Sequence, residues 1–201
     1  MTMEHKRRVA ALMAEPSRDD ALDPRRRARV ELTRAEMMAQ GAAIATTRAM
    51  AQDALREIAA RLAARALRRV VITGCGDSWF VGIGVRHAWE ASTGWPVEAA
   101  QALDFAAYGS ATVDAHTLVI GLSAGGNTPA VMGALRAAQA RGAFTIGVSN
   151  TPDSPVLRAF DGALVVHATR KGWPTQSSTA TMALLIDLAC AVVPDAGAVQ
   201  E

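Results

Sequence analysis

Three short segments of the chain bring together glycines and hydroxyls in a pattern suited to holding an anion. In Ser123-Ala124-Gly125-Gly126-Asn127-Thr128-Pro129 the two glycines permit positive φ and close approach of a ligand to the backbone. Thr128 suits a helix N-cap, and Pro129 suits the first helical position, whose N–H is unpaired in any case. Such a turn aims N–H donors and hydroxyls outward at the positive end of a helix, a site for an anion and most often for a phosphate. A well-capped strand-to-helix connection with no ligand accounts for this one turn equally well. Gly74-Cys75-Gly76-Asp77-Ser78 repeats the pattern with a hydroxyl and a helix start, and Thr175-Gln176-Ser177-Ser178-Thr179 opens the final helix. For the last of these an N-cap cluster is the plainer reading, but three separate structural explanations are then needed where a single ligand site would serve.

The elements that must carry these segments are read from apolar runs and periodicity. Strands are predicted at 69–73, 97–100, 117–122, 144–148 and 163–166, with helices at 78–92, 130–141 and 178–193. Nearly continuous apolar strands alternating with helices predict α/β architecture, a doubly wound, five-stranded parallel sheet covered on both faces. Ahead of it, residues 33 to 68 have a helical pattern in which Leu55, Ile58, Leu62 and Leu67 form a stripe, with a break expected at Gly41. Ligands of such sheets bind beyond the carboxyl ends of the strands, so the turns after the first and third strands are where a site is expected. The first turn is not a dinucleotide fingerprint, because the third glycine of G-x-G-x-x-G would fall at Trp79. No cofactor is called for.

Composition narrows the remaining classes. The 201 residues are 50% hydrophobic and 20% charged with a net charge of +2, the profile of an ordinary globular chain, expected to be cytoplasmic. Cys75 and Cys190 lie far apart, so two reduced thiols are expected, and no metal-ligand spacing occurs. The longest apolar run, 182–193, is interrupted by Asp187 and too short to span a bilayer. Residues 1–32 read as a mixed-charge arm in which acids dilute the run Arg25-Arg26-Arg27-Ala28-Arg29, so a solvated arm or subunit contact fits better than nucleic-acid binding. The domain proper is expected over 33–195.

The order of the three segments resembles the sugar isomerase (SIS) domain, whose phosphosugar-binding members carry G-x-G-x-S, S-x-S-G-x-T and a late S-T pair. Within the family the likeness is to the isomerase part of glucosamine-6-phosphate synthase and related phosphosugar isomerases and deaminases. The resemblance implies that Gly76, Ser78, Ser123, Gly125 and Thr128 hold the phosphate of a sugar phosphate or amino-sugar phosphate, and that Ser178 and Thr179 close over the substrate. Two departures stand out: the family's second serine is Gly125 here, and Asn127 stands before the threonine where relatives have an acid. Arg170 and Lys171 lie where relatives often carry an acidic residue, and either supplement the anion site or meet a different substrate.

For the chemistry, aldose-ketose interconversion needs a base that moves a proton between adjacent carbons and a group that opens the ring. Glu90 matches the family's base, His87 stands three residues before it, and His167 follows the fifth strand on the ligand side. A structural role accounts for each of the three as well. The family's ring-opening His-Gly pair is replaced by Leu103-Asp104-Phe105-Ala106-Ala107-Tyr108.

One domain where relatives have two implies a symmetric assembly, a homodimer or higher, with the site shared between subunits. The resulting expectation is an isomerase or amino-sugar-phosphate deaminase. The alternative is a non-catalytic phosphosugar-binding module or one half of a two-domain enzyme. A sugar-responsive DNA-binding regulator, also found in the family, would carry a helix-turn-helix for which the leading segment is short.

Overall fold

The computed structural model describes residues 24–193. Its elements run α1 (Pro24–Met38), α2 (Gln40–Ala63), β1 (Arg69–Gly74), α3 (Asp77–Thr93), β2 (Val97–Gln101), α4 (Ala102–Ala107), a 3-10 turn (Gly109–Thr112), β3 (Thr117–Leu122), α5 (Pro129–Gln139), β4 (Phe144–Ser149), α6 (Pro155–Arg158), β5 (Gly162–Val165) and α7 (Gln176–Val192). The five strands form one sheet of order β2-β1-β3-β4-β5, and every pairing is parallel. This is the doubly wound α/β sheet that the alternation of apolar runs and helices predicts, with a switch of direction between β1 and β3.

Strand residues alternate between two cores. Val70, Ile72, Leu118 and Ile120 join a cluster with Leu55, Ile58 and Leu62 of α2, Trp89 of α3 and Leu184, Leu185 and Leu188 of α7. Val71 and Val119 face the other way, against Phe105 of α4, Val131 and Leu135 of α5 and Val156 of α6. This period of two on strands that are buried on both faces explains why they read as unbroken apolar runs. On the second face Gly121 and Gly147 are register partners. A Cβ at Gly121 would run into Leu135, and one at Gly147 into the carbonyl of Val156, so both keep the α5 and α6 layer close to the sheet.

Several boundaries differ from the expectation. The break in the leading helices falls at Ala39, and Gly41 lies inside α2. Gly41 does not take a positive φ and lies within the continuous helix, so glycine there does not end it. Helix α1 crosses the boundary drawn at residue 32, so 24–32 of the expected arm is helical; residues 1–23 and 194–195 of the expected units lie outside the described residues. The stretch 102–107 forms α4, which lacked the length for a periodic signal; the Gln101 side chain caps it by accepting the N–H groups of Leu103 and Asp104 at 2.6 and 3.3 Å. Helix α7 begins at Gln176, two residues before the predicted start, and this places Ser177 and Ser178 in its first turn.

Candidate functional site

The turn after β3 is built from both sides. Ser123 is buried and its N–H donates to the carbonyl of Val148, which ties the end of β3 to β4. Gly126 closes the turn by donating to the Ser123 carbonyl at 2.8 Å. Its φ of +73° and the contact of its α-carbon face with Ser154 exclude a side chain. The Ala124 carbonyl accepts from Ser149 Oγ, the Asn150 N–H and Thr151 Oγ1 at 3.1, 3.2 and 3.1 Å. Thr128 occupies the N-cap position of α5 and Pro129 follows it as the first helical residue, but the Thr128 side chain does not cap. Its Oγ1 lies 2.8 Å from Ser123 Oγ, which also accepts the Thr128 N–H at 3.3 Å. The two hydroxyls are thereby fixed against each other at the mouth of the helix.

The turn after β1 lies beside it, since β1 and β3 are neighbours in register from Arg69↔Thr117 to Gly74↔Leu122. Gly76 precedes α3 with a φ of +54°, and the Trp79 and Phe80 N–H groups donate back to its carbonyl. The Trp79 indole donates to the Ala99 carbonyl of β2 at 3.0 Å, which directs the ring along the sheet edge.

These turns and the start of α7 enclose a cavity of about 340 Å³ at the carboxyl end of the sheet, where the fold places ligands. Gly76, Ser78, Ser123, Gly125, Thr128 and Ser178 all line it. Thr179 does not belong to the lining; its hydroxyl donates to the carbonyls of Thr175 and Gln176 at 3.3 Å. Ser177 and Thr181 of α7 also lie on the cavity side. Ser149 and Asn150 also line the cavity. Ser149 is the last residue of β4 and Asn150 follows it, at the next carboxyl end along the sheet, and that position was the available signal for them. Arg170 lines the cavity from the segment before α7.

The three acid-base candidates lie elsewhere. His87 Nδ1 and Glu90 Oε2 are 3.1 Å apart on α3, with side chains 77% and 37% exposed, and neither lines the cavity. Glu90 Oε1 also accepts the Val97 N–H at 3.4 Å. His167 lines a separate, open groove of about 500 Å³ beside α2, and its N–H donates to Thr47 Oγ1 at 3.0 Å. Among the described residues no cluster of three His, Cys, Asp or Glu side chains is placed to hold a metal, and no helix is long and apolar enough to cross a membrane.

One buried charge had no signal in the sequence. Glu36 of α1 is 5% exposed and accepts from Thr169 Oγ1, the Lys171 N–H and the Gly172 N–H at 2.7, 2.8 and 3.1 Å. Burial alone would raise its pKa, but these donors outweigh burial and hold the carboxyl below its ordinary value.

The SIS domain model matches residues 65–191. The chain belongs to the SIS domain family. Among curated relatives, glutamine-fructose-6-phosphate aminotransferase (isomerizing) of Bacteroides thetaiotaomicron is 30% identical over 136 residues, 67% of this chain and 22% of that protein. A human form of the same aminotransferase is 32% identical over 123 residues, 58% of this chain and 16% of that protein. The SIS chain thus spans about a fifth of the length of these relatives. Among solved structures, tagatose-6-phosphate ketose/aldose isomerase from Escherichia coli superposes with a TM-score of 0.61 at 20% identity, over 74% of this chain and 44% of that one. Glucosamine-6-phosphate deaminase from Thermotoga maritima gives 0.57 at 20% identity, over 78% of this chain and 50% of that one. At these identities the superpositions establish a shared fold.

Proposed function

We propose that the cavity binds a sugar phosphate or amino-sugar phosphate, with the phosphate seated between the turns after β1 and β3 and the first turn of α7. The observation that carries this reading is the convergence of Ser78, Ser123, Thr128 and Ser178, from three separate segments, on one cavity at three helix N-termini. The Gly125 backbone N–H, the hydroxyls of Ser78, Ser123, Thr128 and Ser178 and the Arg170 guanidinium together offer the donors that a dianion needs. The occurrence of a ketose/aldose isomerase, an amino-sugar-phosphate deaminase and isomerizing aminotransferases among the relatives supports the same class of ligand.

The chemistry in this proposal is aldose-ketose isomerisation, or deamination of an amino-sugar phosphate, at a site shared between subunits. In isomerisation a base takes the proton from C2 of the open-chain aldose, an enediol forms, and the proton is returned to C1. Glu90 and His87 are the proposed base and its partner. Ile83, His87 and Glu90 recur at helical spacing on one face of α3, next to exposed Phe80. An apolar patch beside an acid-base pair fits a face that meets a second copy and serves that copy's cavity.

The test is thermal shift against hexose, pentose and amino-sugar phosphates, then deuterium incorporation from heavy water into any ligand that binds, with sedimentation to read the assembly. Exchange at the sugar carbons that is lost in Glu90→Gln while binding persists is the expected result. Binding without exchange would leave the protein a phosphosugar-binding module, and a wild-type chain that binds none of the panel would end the reading.

A further inference from the structure

Helix α1 is attached to the body in an unusual way. Its one buried residue is Glu36, while Val30, Leu32, Met37 and Met38 are exposed. A leucine at position 36 would contribute apolar burial without a desolvation cost, whereas a carboxylate is costly to bury unless it is fully hydrogen-bonded. What the carboxylate does that a leucine does not is hold a particular backbone. Its two oxygens accept two consecutive N–H groups, from Lys171 and Gly172, and the Thr169 hydroxyl. Thr169 in turn accepts from Gln176 Nε2 at 2.6 Å, which ties the first residue of α7 into the same network.

The neighbouring contacts pin the same segment. Trp173 N–H donates to Thr33 Oγ1 at 2.9 Å, and the Arg29 guanidinium lies 4.6 Å above the Trp173 ring. A Cβ at Gly172 would meet the backbone of Thr33, so the helix approaches as closely as glycine allows. Arg170, between the residues held by Glu36, is a cationic side chain in the cavity lining.

We propose that Glu36 is a positioning residue: its carboxylate locks segment 169–173 so that Arg170 meets the anionic group of the ligand. The role of Arg170 rests on the sugar-phosphate reading of the cavity, while the lock itself is a property of the free protein. Glu36→Gln, Arg170→Ala and the double variant are titrated calorimetrically with fructose 6-phosphate and with inorganic phosphate. Amide hydrogen exchange of 170–173 is measured without ligand. Glu36→Gln is expected to speed exchange at Lys171 and Gly172 and to weaken both probes about tenfold, the scale of one charge-assisted hydrogen bond. In the Arg170→Ala background the Glu36 substitution should cost nothing more, a coupling that a merely stabilising glutamate would not produce.

Additive losses, or wild-type affinity in Glu36→Gln, would overturn the assignment. If neither probe binds the wild type, the sugar-phosphate reading fails and the exchange measurement decides the lock alone: unchanged exchange in Glu36→Gln refutes it. Should Glu36→Gln not fold, Thr169→Val removes one donor to Glu36 together with the acceptor of Gln176 Nε2, and is expected to show a loss of the same kind, again absent in Arg170→Ala.

Discussion

Gly125→Ser restores the hydroxyl that phosphosugar-binding relatives carry at this point of the motif, and the local geometry admits it. No heavy atom lies within 4 Å of the place a Cβ would occupy, and Gly125 is not among the positive-φ residues. The new side chain therefore enters open space in the cavity lining with an ordinary backbone. A hydrogen bond to a charged group contributes about 1.5–3 kcal/mol, and fixing the serine rotamer returns part of that, leaving about 1 kcal/mol. Affinity for fructose 6-phosphate should rise about fivefold. Calorimetric titration of wild type and variant reads this directly, and a melting curve reports the fold, which loss of a glycine from the unfolded state should leave unchanged or slightly more stable. Unchanged or weaker binding by a variant that melts at or above the wild-type temperature would refute the placement of the phosphate in this turn.

Other expectations follow from the same geometry. Gly126→Ala, one residue on, should behave oppositely, because its φ of +73° and the contact with Ser154 leave no room. A loss of about 2–4 kcal/mol is expected in chemical denaturation, from backbone strain together with overpacking. Glu36 supplies a pH dependence: with its folded pKa lowered, its contribution to stability is complete above the ordinary glutamate range and is lost as pH falls through the lowered value. The difference in melting temperature between wild type and Glu36→Gln should accordingly be constant near neutrality and shrink on acidification below about pH 4. A difference that grows on acidification would contradict the sign.

The sheet, its parallel sense and the meeting of the three motifs at one cavity were legible because each depends on local information. A strand buried on both faces must be apolar along its length, as 117–122 is, and a β-to-α turn must carry glycines and hydroxyls if donors are to face a ligand. The three motifs thus pointed to one rim, and the cavity contains residues from all three.

What the spacing did not settle depends on which side of a helix faces inward and on partners far along the chain. In α7 the packing turns Ser177, Ser178 and Thr181 toward the cavity and leaves Thr179 bonded to the carbonyls of Thr175 and Gln176. Glu36 carries no local signature, since an acid in a charged, amphipathic helix reads as solvent-facing until the segment 169–172 folds over it more than 130 residues later. Local propensity and periodicity determine the elements and the character of the turns. The lining of the cavity and the fate of a single carboxylate are determined by packing between elements, where desolvation must be met by donors that only the tertiary fold assembles.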